Sequence, residues 1–176
     1  TRNESSAASD VYKRQVPTFS SWLSKQNSVQ AYKDLKEIYQ AFIWQDPSRE
    51  GKKWVLKTPG HLMALDTAMS VFPDAKIVMT HRDPISTVPS YCSFESTLYR
   101  MGSEEISHKM VGDFWFERLS QWTDAFMSVR SSSEEHRFID VIYPELLNDP
   151  IGQGKRVLEA AGVNVTPDVI NDMGQW

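Results

Sequence analysis

Apolar residues recur along this chain at helical spacing, interrupted by short continuous apolar runs. From Ser28 to Trp44, apolar side chains fall at i, i+3 and i+4 positions, which predicts an amphipathic helix that Pro47 stops. Its apolar positions are Tyr32, Leu35, Ile38, Tyr39 and Phe42. A longer helical pattern extends from Ser103 to Arg130. These segments predict a helix-rich protein.

Three short apolar runs between the helical segments have the length and composition of strands. They are residues 53–56 (KWVL), 75–80 (AKIVMT) and 138–143 (FIDVIY). Each run is followed by a turn signal and a further helix. This alternation predicts an α/β fold with a short, mostly parallel sheet covered by helices on both faces. In such sheets, ligands bind beyond the carboxyl ends of the strands, so we expect functional side chains there.

The first 15 residues lack periodicity and begin on Thr1 rather than methionine. The run from Ser5 to Gln15 resembles translated adapter sequence of the kind that occurs at the ends of proteins from metagenomic shotgun assemblies. We therefore expect residues 1–15 to be a non-native or disordered tail. Residues 16–176 are then expected to form one partial domain.

Composition and charge narrow the classes of partner. Hydrophobic residues make up 40% of the chain and charged residues 24%, which is typical of a globular domain. The net charge is −4 and no run of five like charges occurs, so nothing indicates nucleic-acid binding. The chain has neither a membrane-span pattern nor a signal-peptide pattern, which predicts a cytoplasmic protein.

Cysteine and histidine usage gives no indication of a metal site. Cys92 is the single cysteine, so it cannot form an internal disulfide. The four histidines lie at positions 61, 81, 108 and 136, and none has a second His or Cys at zinc spacing. We therefore expect no metal, and an anionic ligand would need individually placed cations.

Arg82 follows the second predicted strand and directly precedes Asp83 and Pro84, the expected N-cap and N1 residues of the next helix. This order places a guanidinium group beside the N–H groups of a helix N terminus, which suits a phosphate. Ser90 lies about two turns further along and would flank the same anion. The alternative for Arg82 is an ordinary ion pair with Asp83 or Glu95.

Lys57 and His61 follow the first predicted strand. A helix N terminus disfavours imidazolium, so we expect a neutral His61 that accepts a proton near neutral pH, as a general base must. The alternatives are a solvated lysine and a capping histidine.

Five motifs occur in order along the chain: WVLKTPGHL (residues 54–62), FPDAKIVMTHRDP (72–84), PS (89–90), DVIY (140–143) and LNDP (147–150). Together they resemble the bacterial branch of the sulfotransferases that use 3′-phosphoadenosine 5′-phosphosulfate (PAPS). The resemblance implies a three-layer αβα fold like that of P-loop NTPases. It also implies sulfuryl transfer from PAPS to an acceptor hydroxyl or amine, with a small-molecule or carbohydrate acceptor and no metal.

The resemblance assigns roles to particular residues. The family binds the 3′-phosphate of PAPS with an Arg at a strand end and a Ser eight residues later, which Arg82 and Ser90 match. Lys57 corresponds to a charge-stabilising lysine and His61 to the base. Cytosolic relatives place that histidine two residues after the lysine, whereas here it stands four after it. Tyr143 matches a tyrosine near the adenine; the alternative is a core aromatic at a strand end.

One family element has no counterpart in the sequence. The first strand of the family ends in a Gly- and Ser/Thr-containing loop that cradles the 5′-phosphosulfate, and the GQGK run (residues 152–155) lies in a helical stretch instead. The resemblance therefore implies a fragment without that loop, which we expect to be inactive. Two alternatives are a non-catalytic nucleotide-phosphate-binding module and a P-loop-type kinase of a small molecule.

Overall fold

The computed structural model describes residues 17–23, 25–101 and 107–175. The helices within these ranges are α1 (Pro17–Leu23), α2 (Val29–Gln45), α3 (Leu65–Val71), α4 (Pro84–Arg100), α5 (His108–Ser131), α6 (Tyr143–Asn148), α7 (Pro150–Ala160) and α8 (Pro167–Gly174). The strands are β1 (Ile77–His81) and β2 (Phe138–Ile142). Stretches of 3₁₀ turn span Pro47–Arg49, Pro59–Ala64 and Glu135–Arg137.

Strands β1 and β2 pair in parallel, in a register that runs from Ile77 opposite Phe138 to His81 opposite Ile142. A parallel pair needs a crossover connection, which α4 and α5 supply. Both strands therefore end at the same edge of the sheet. The residues that follow them in the chain, Arg82 and Tyr143, meet at this edge.

The prediction of a strand at residues 53–56 was wrong. Within the described part of the chain, these residues pair with no strand, and the side chain of Val55 is 89% exposed. Trp54 instead packs on Tyr39 of α2, with 4.6 Å between ring centroids. An apolar run has the composition of a strand, but a ladder also needs a neighbouring strand to hydrogen-bond with.

The main core joins the sheet to α3 and α5. Its buried members are Leu65, Met69, Phe126 and Phe138, against which Leu62, Ile77, Met79 and Val129 pack. Burying a side chain of this size stabilises the fold by about 1.5–3 kcal/mol. Because Leu62 lies in the 3₁₀ turn and Ile77 in β1, this core holds both the turn and the strand.

A second core cluster lies between α4 and α5. It contains the buried residues Tyr99, Val111 and Trp115, with Tyr91, Cys92, Phe114 and Trp122 packed around them. The rings of Trp115 and Trp122 meet edge to face at 5.9 Å. This cluster fixes α4, which begins at Pro84, two residues after Arg82.

The helix predicted from Ser103 to Arg130 is described from His108 to Ser131, and the predicted start at Ser103 lies outside the described residues. Asp83 caps α4 with Pro84 at N1, as predicted, and Pro89 does not interrupt the helix. Gly162 follows the end of α7 with φ +77°, a left-handed conformation that favours glycine, and its N–H bonds to the carbonyl of Glu159. None of the helices in the described ranges is long and apolar enough to cross a membrane.

Candidate active site

Arg82 and Tyr143 lie side by side at the carboxyl edge of the sheet, one residue beyond the last ladder pair. The guanidinium carbon stands 4.8 Å from the centroid of the Tyr143 ring, in cation–π contact. Arg82 is exposed and Tyr143 is half-buried. Among the described residues, no ion pair joins Arg82 to Asp83 or Glu95, so the contact with Tyr143 replaces the ion pair considered above.

The N terminus of α4 does not offer the free N–H groups that the sequence predicted. The Asp83 carboxylate accepts from the N–H of Ile85 at 3.0 Å, and the Asp83 carbonyl accepts from those of Ser86 and Thr87 at 3.1 and 3.0 Å. The proline at N1 has no N–H to give. The backbone donors are therefore already occupied, and an anion at this edge would depend on side chains.

Ser90 is exposed on α4, and its hydroxyl forms no hydrogen bond with another described residue. It lies seven residues after the Asp83 cap, or roughly 10 Å along the helix axis at about 1.5 Å per residue. No polar contact between described residues joins Ser90 to Arg82, whose guanidinium lies over the Tyr143 ring.

His61 lies in the Pro59–Ala64 turn, where Thr58 accepts from the N–H of Gly60 at 3.3 Å. The ring Nδ1 of His61 is 2.7 Å from the hydroxyl oxygen of Tyr32 on α2. Burial lowers the pKa of His61, so the ring is neutral near neutral pH. A neutral His61 was also expected from the sequence, where this state was attributed to a helix N terminus. The cause is desolvation instead, because His61 lies in a 3₁₀ turn and not at the N terminus of an α-helix.

Tyr32 was assigned above only to the apolar face of α2, and its contact with His61 was missed. Burial raises the pKa of Tyr32, and the negative charge of Asp66 raises it further, so the phenol stays neutral. A half-buried tyrosine usually has a hydrogen-bond partner for its hydroxyl, and this tendency was the one indication that Tyr32 would bond to another residue. The partner lies 29 residues away, beyond the reach of any local pattern.

Lys57 is exposed in the irregular segment that precedes the turn. No hydrogen bond or ion pair to a described residue fixes its ammonium group. Likewise, no polar or ring contact between described residues joins His61 or Lys57 to Arg82 or Tyr143. The candidate residues thus form two groups: a strand-edge pair (Arg82 and Tyr143) and a turn pair (His61 and Tyr32).

A charged network that the sequence did not indicate supports the strand edge. His81 Nε2 is 2.6 Å from Asp140 Oδ1, and Arg130 donates to both Asp140 oxygens at 2.8 and 2.7 Å. Arg130 also pairs with Glu135. The Arg130 guanidinium, and then His81, hold the pKa of Asp140 well below its usual range. The network connects α5 to the middle of β2 and to the last residue of β1, which precedes Arg82.

In the described ranges, no three His, Cys, Asp or Glu side chains are grouped as a metal site would require.

The profile of a protein family described as "Sulfotransferase family" matches residues 2–167 of the chain. This match covers most of the sequence, so the chain belongs to the sulfotransferase family. The resemblance inferred from the ordered motifs is confirmed at this level.

Two mycobacterial proteins are similar to the chain in sequence. Both are named omega-hydroxy-beta-dihydromenaquinone-9 sulfotransferase Stf3, from Mycobacterium bovis and Mycobacterium tuberculosis, and each is 29% identical over 126 residues. The alignment covers 69% of this chain and 32% of each relative. The chain therefore spans about a third of the length of these curated relatives.

Two solved structures share the fold. Sulfotransferase STF9 from Mycobacterium avium superposes with a TM-score of 0.82 at 23% identity, over 92% of this chain and 41% of that one. Sulfotransferase STF1 from Mycobacterium tuberculosis H37Rv gives a TM-score of 0.81 at 29% identity, over 90% of this chain and 43% of that one. The predicted fold class, a helix-rich, P-loop-like αβα fold with a short parallel sheet, is confirmed.

Proposed function

We propose that the protein transfers a sulfuryl group from PAPS to an acceptor hydroxyl or amine, as a PAPS-dependent sulfotransferase. Membership of the sulfotransferase family supports transfer of this group. The observation that carries the nucleotide assignment is the exposed Arg82 guanidinium over the Tyr143 ring at the carboxyl edge of the parallel sheet. This is the edge at which α/β folds bind ligands.

The strand-edge pair suits a 3′-phosphonucleotide. A guanidinium group binds phosphate through charge-assisted hydrogen bonds, and a tyrosine ring offers a flat surface to a base. In this proposal, Arg82 and Ser90 bind the 3′-phosphate and Tyr143 contacts the adenine. Because the chain carries a net charge of −4, the affinity for an anion depends on such a local cation.

The turn supplies the groups that sulfuryl transfer needs. The acceptor oxygen forms a bond to sulfur while the bond between sulfur and the leaving phosphate oxygen breaks in line. His61 takes the acceptor's proton at Nε2, and its lowered pKa keeps the ring neutral and ready to do so. Lys57 stabilises the negative charge that grows on the leaving oxygen.

The acceptor is proposed to be a small molecule with a hydroxyl group. Two relatives are named for a hydroxylated dihydromenaquinone, which favours this class over the carbohydrate alternative.

The test of the nucleotide site is calorimetric titration of the protein with 3′,5′-ADP. We expect Arg82→Ala and Ser90→Ala each to weaken binding by roughly 10- to 150-fold, because each removes a contact to a charged group worth about 1.5–3 kcal/mol. The matched controls are Arg118→Ala, which removes another arginine from an aromatic ring, and Ser93→Ala, which removes another exposed serine of α4. Neither control should change the affinity.

Unchanged affinity in both Arg82→Ala and Ser90→Ala would rule out this phosphate site. Equal affinity for 5′-ADP and 3′,5′-ADP would favour a P-loop-type kinase instead. Binding of 3′,5′-ADP with no sulfuryl transfer from PAPS to any hydroxylated acceptor, in a form of the protein extended by the family's 5′-phosphosulfate loop, would favour a non-catalytic binding module.

A further inference from the structure

The hydrogen bond to the His61 ring comes from a distant part of the chain. Tyr32 lies 29 residues before His61, on a helix that packs against α3, and the two rings lie 5.8 Å apart at a tilt of 36°. Lys36, one turn further along α2, donates to the carbonyl of Val71 at 3.3 Å and so ties this helix to the end of α3. The Tyr32 hydroxyl is therefore held in place by its helix.

The position of this hydroxyl bears on which ring nitrogen can act as a base. A neutral imidazole carries one proton, and it accepts a second proton only at the nitrogen that is bare. The hydrogen bond made by one nitrogen decides where the first proton resides. For Nε2 to accept a proton, Nδ1 must already carry one and must find an acceptor for it.

We propose that Tyr32 is a positioning residue whose hydroxyl oxygen accepts the Nδ1–H of His61 and thereby leaves Nε2 bare to receive the acceptor's proton. This inference rests on the proposed role of His61 as the base. The acceptor O–H proton passes to Nε2 as the oxygen–sulfur bond forms and the bond to the leaving phosphate breaks. The imidazolium keeps its Nδ1–H on Tyr32, and this hydrogen bond strengthens once the ring is charged.

The direction of donation follows from the proposed role of His61, since a base at Nε2 carries its first proton on Nδ1. Burial and the nearby Asp66 carboxylate raise the pKa of Tyr32, and a neutral phenol can either accept from Nδ1–H or donate to a bare Nδ1. If Tyr32 instead donated to Nδ1, the ring would carry its proton on Nε2 and would act there only as a donor. The two arrangements differ in the site of one proton, which can be measured directly.

The first experiment determines the tautomer of His61 from the ¹⁵N chemical shifts of its ring in protein labelled at histidine. The His61→Gln variant identifies the His61 signals among those of the four histidines. We expect the Nδ1–H form in the wild type and a shift toward the Nε2–H form in Tyr32→Phe. The control is Tyr39→Phe, which removes a hydroxyl from the same helix at a tyrosine that packs on Trp54. An Nε2–H ring in the wild type overturns the proposal.

The second experiment measures turnover of PAPS with a hydroxylated acceptor in a form of the protein extended by the family's 5′-phosphosulfate loop. We expect Tyr32→Phe to lower kcat by about tenfold or more, which is part of the roughly 10²- to 10⁴-fold effect of a positioned base. The Kd for 3′,5′-ADP should not change, and Tyr39→Phe should turn over normally. Normal kcat in Tyr32→Phe together with an inactive His61→Ala would refute positioning by Tyr32 and leave the base in place. Normal turnover in His61→Ala would refute the base itself, whichever tautomer is observed.

Discussion

The strand-edge pair and the turn pair are held by different means. Arg82 and Tyr143 follow directly from two hydrogen-bonded strands, so the ladder between His81 and Ile142 brings them together through the backbone. The turn pair has no such ladder. His61 and Tyr32 meet only through side chains that a 3₁₀ turn and a separate helix present to each other.

Because the two pairs are held differently, we expect them to respond differently to side-chain substitution. A backbone ladder tolerates side-chain changes, so substitutions at the strand edge should mainly change what the edge binds. A side-chain contact depends on the exact groups present, so substitutions in the turn pair should change its protonation state and its reactivity. Both pairs nevertheless rest on one core, because Leu62 of the turn and Ile77 of β1 pack against the same buried cluster.

The largest effect is expected from Phe126→Ala, which removes the support that both pairs share. Phe126 is 2% exposed and meets Phe138 edge to face at 5.9 Å, so its loss leaves a cavity between α5 and the sheet. We expect the free energy of unfolding to fall by about 3–5 kcal/mol in urea titrations. Phe116→Ala, at a residue of the same helix that is 67% exposed, is the control and should cost less than about 0.5 kcal/mol. Equal losses in the two variants would contradict the assignment of this core.

A smaller effect, confined to the strand edge, is expected from Asp140→Asn. The folded-state pKa of Asp140 lies below its unfolded value, so the carboxylate stabilises the fold at neutral pH. That stability is lost as pH falls below the ordinary aspartate pKa of about 3.9 and through the lower folded-state value. Because the side chain is partly exposed, we expect a cost of only about 1 kcal/mol at pH 7.

Urea unfolding of the wild type and Asp140→Asn between pH 7 and pH 3 tests this expectation. The difference in unfolding free energy between the two proteins should narrow as the pH falls. A difference that stays constant with pH would show that the network contributes through packing and not through charge.

The two pairs also differ in how far the sequence could predict them. The ends of β1 and β2 follow from short apolar runs with helices between them, and parallel strands share an edge, so the meeting of Arg82 and Tyr143 was predictable. The α2 helix was also predicted to within a residue at each end. These features depend on local patterns and on one rule of topology.

The remaining features depend on partners that are distant in sequence. Tyr32 fits the apolar stripe of α2 and carries no sign that its hydroxyl reaches a histidine 29 residues later. Asp140 sits within an apolar strand, and its pairing with Arg130 and His81 follows only from the packing of α5 on the sheet. The prediction of a strand at residues 53–56 was wrong for the same reason, because the composition of a run does not show whether a neighbouring strand is there to pair with it.

The smallest effect is expected from Tyr143→Leu, which tests whether a change in the strand-edge pair leaves the turn pair unaffected. Leucine keeps an apolar side chain at the strand end but removes the ring under the Arg82 guanidinium. The exposed cation–π contact, worth about 0.5–1 kcal/mol, holds the guanidinium in place before the nucleotide binds, so its loss should lower the affinity for 3′,5′-ADP by at most about two- to fivefold in calorimetry. Tyr143→Phe keeps the ring and should bind as the wild type does. The ¹⁵N spectrum of His61 should be the same in all three proteins, because no polar or ring contact between described residues joins the turn pair to the strand-edge pair. A changed tautomer would show that the two pairs are coupled.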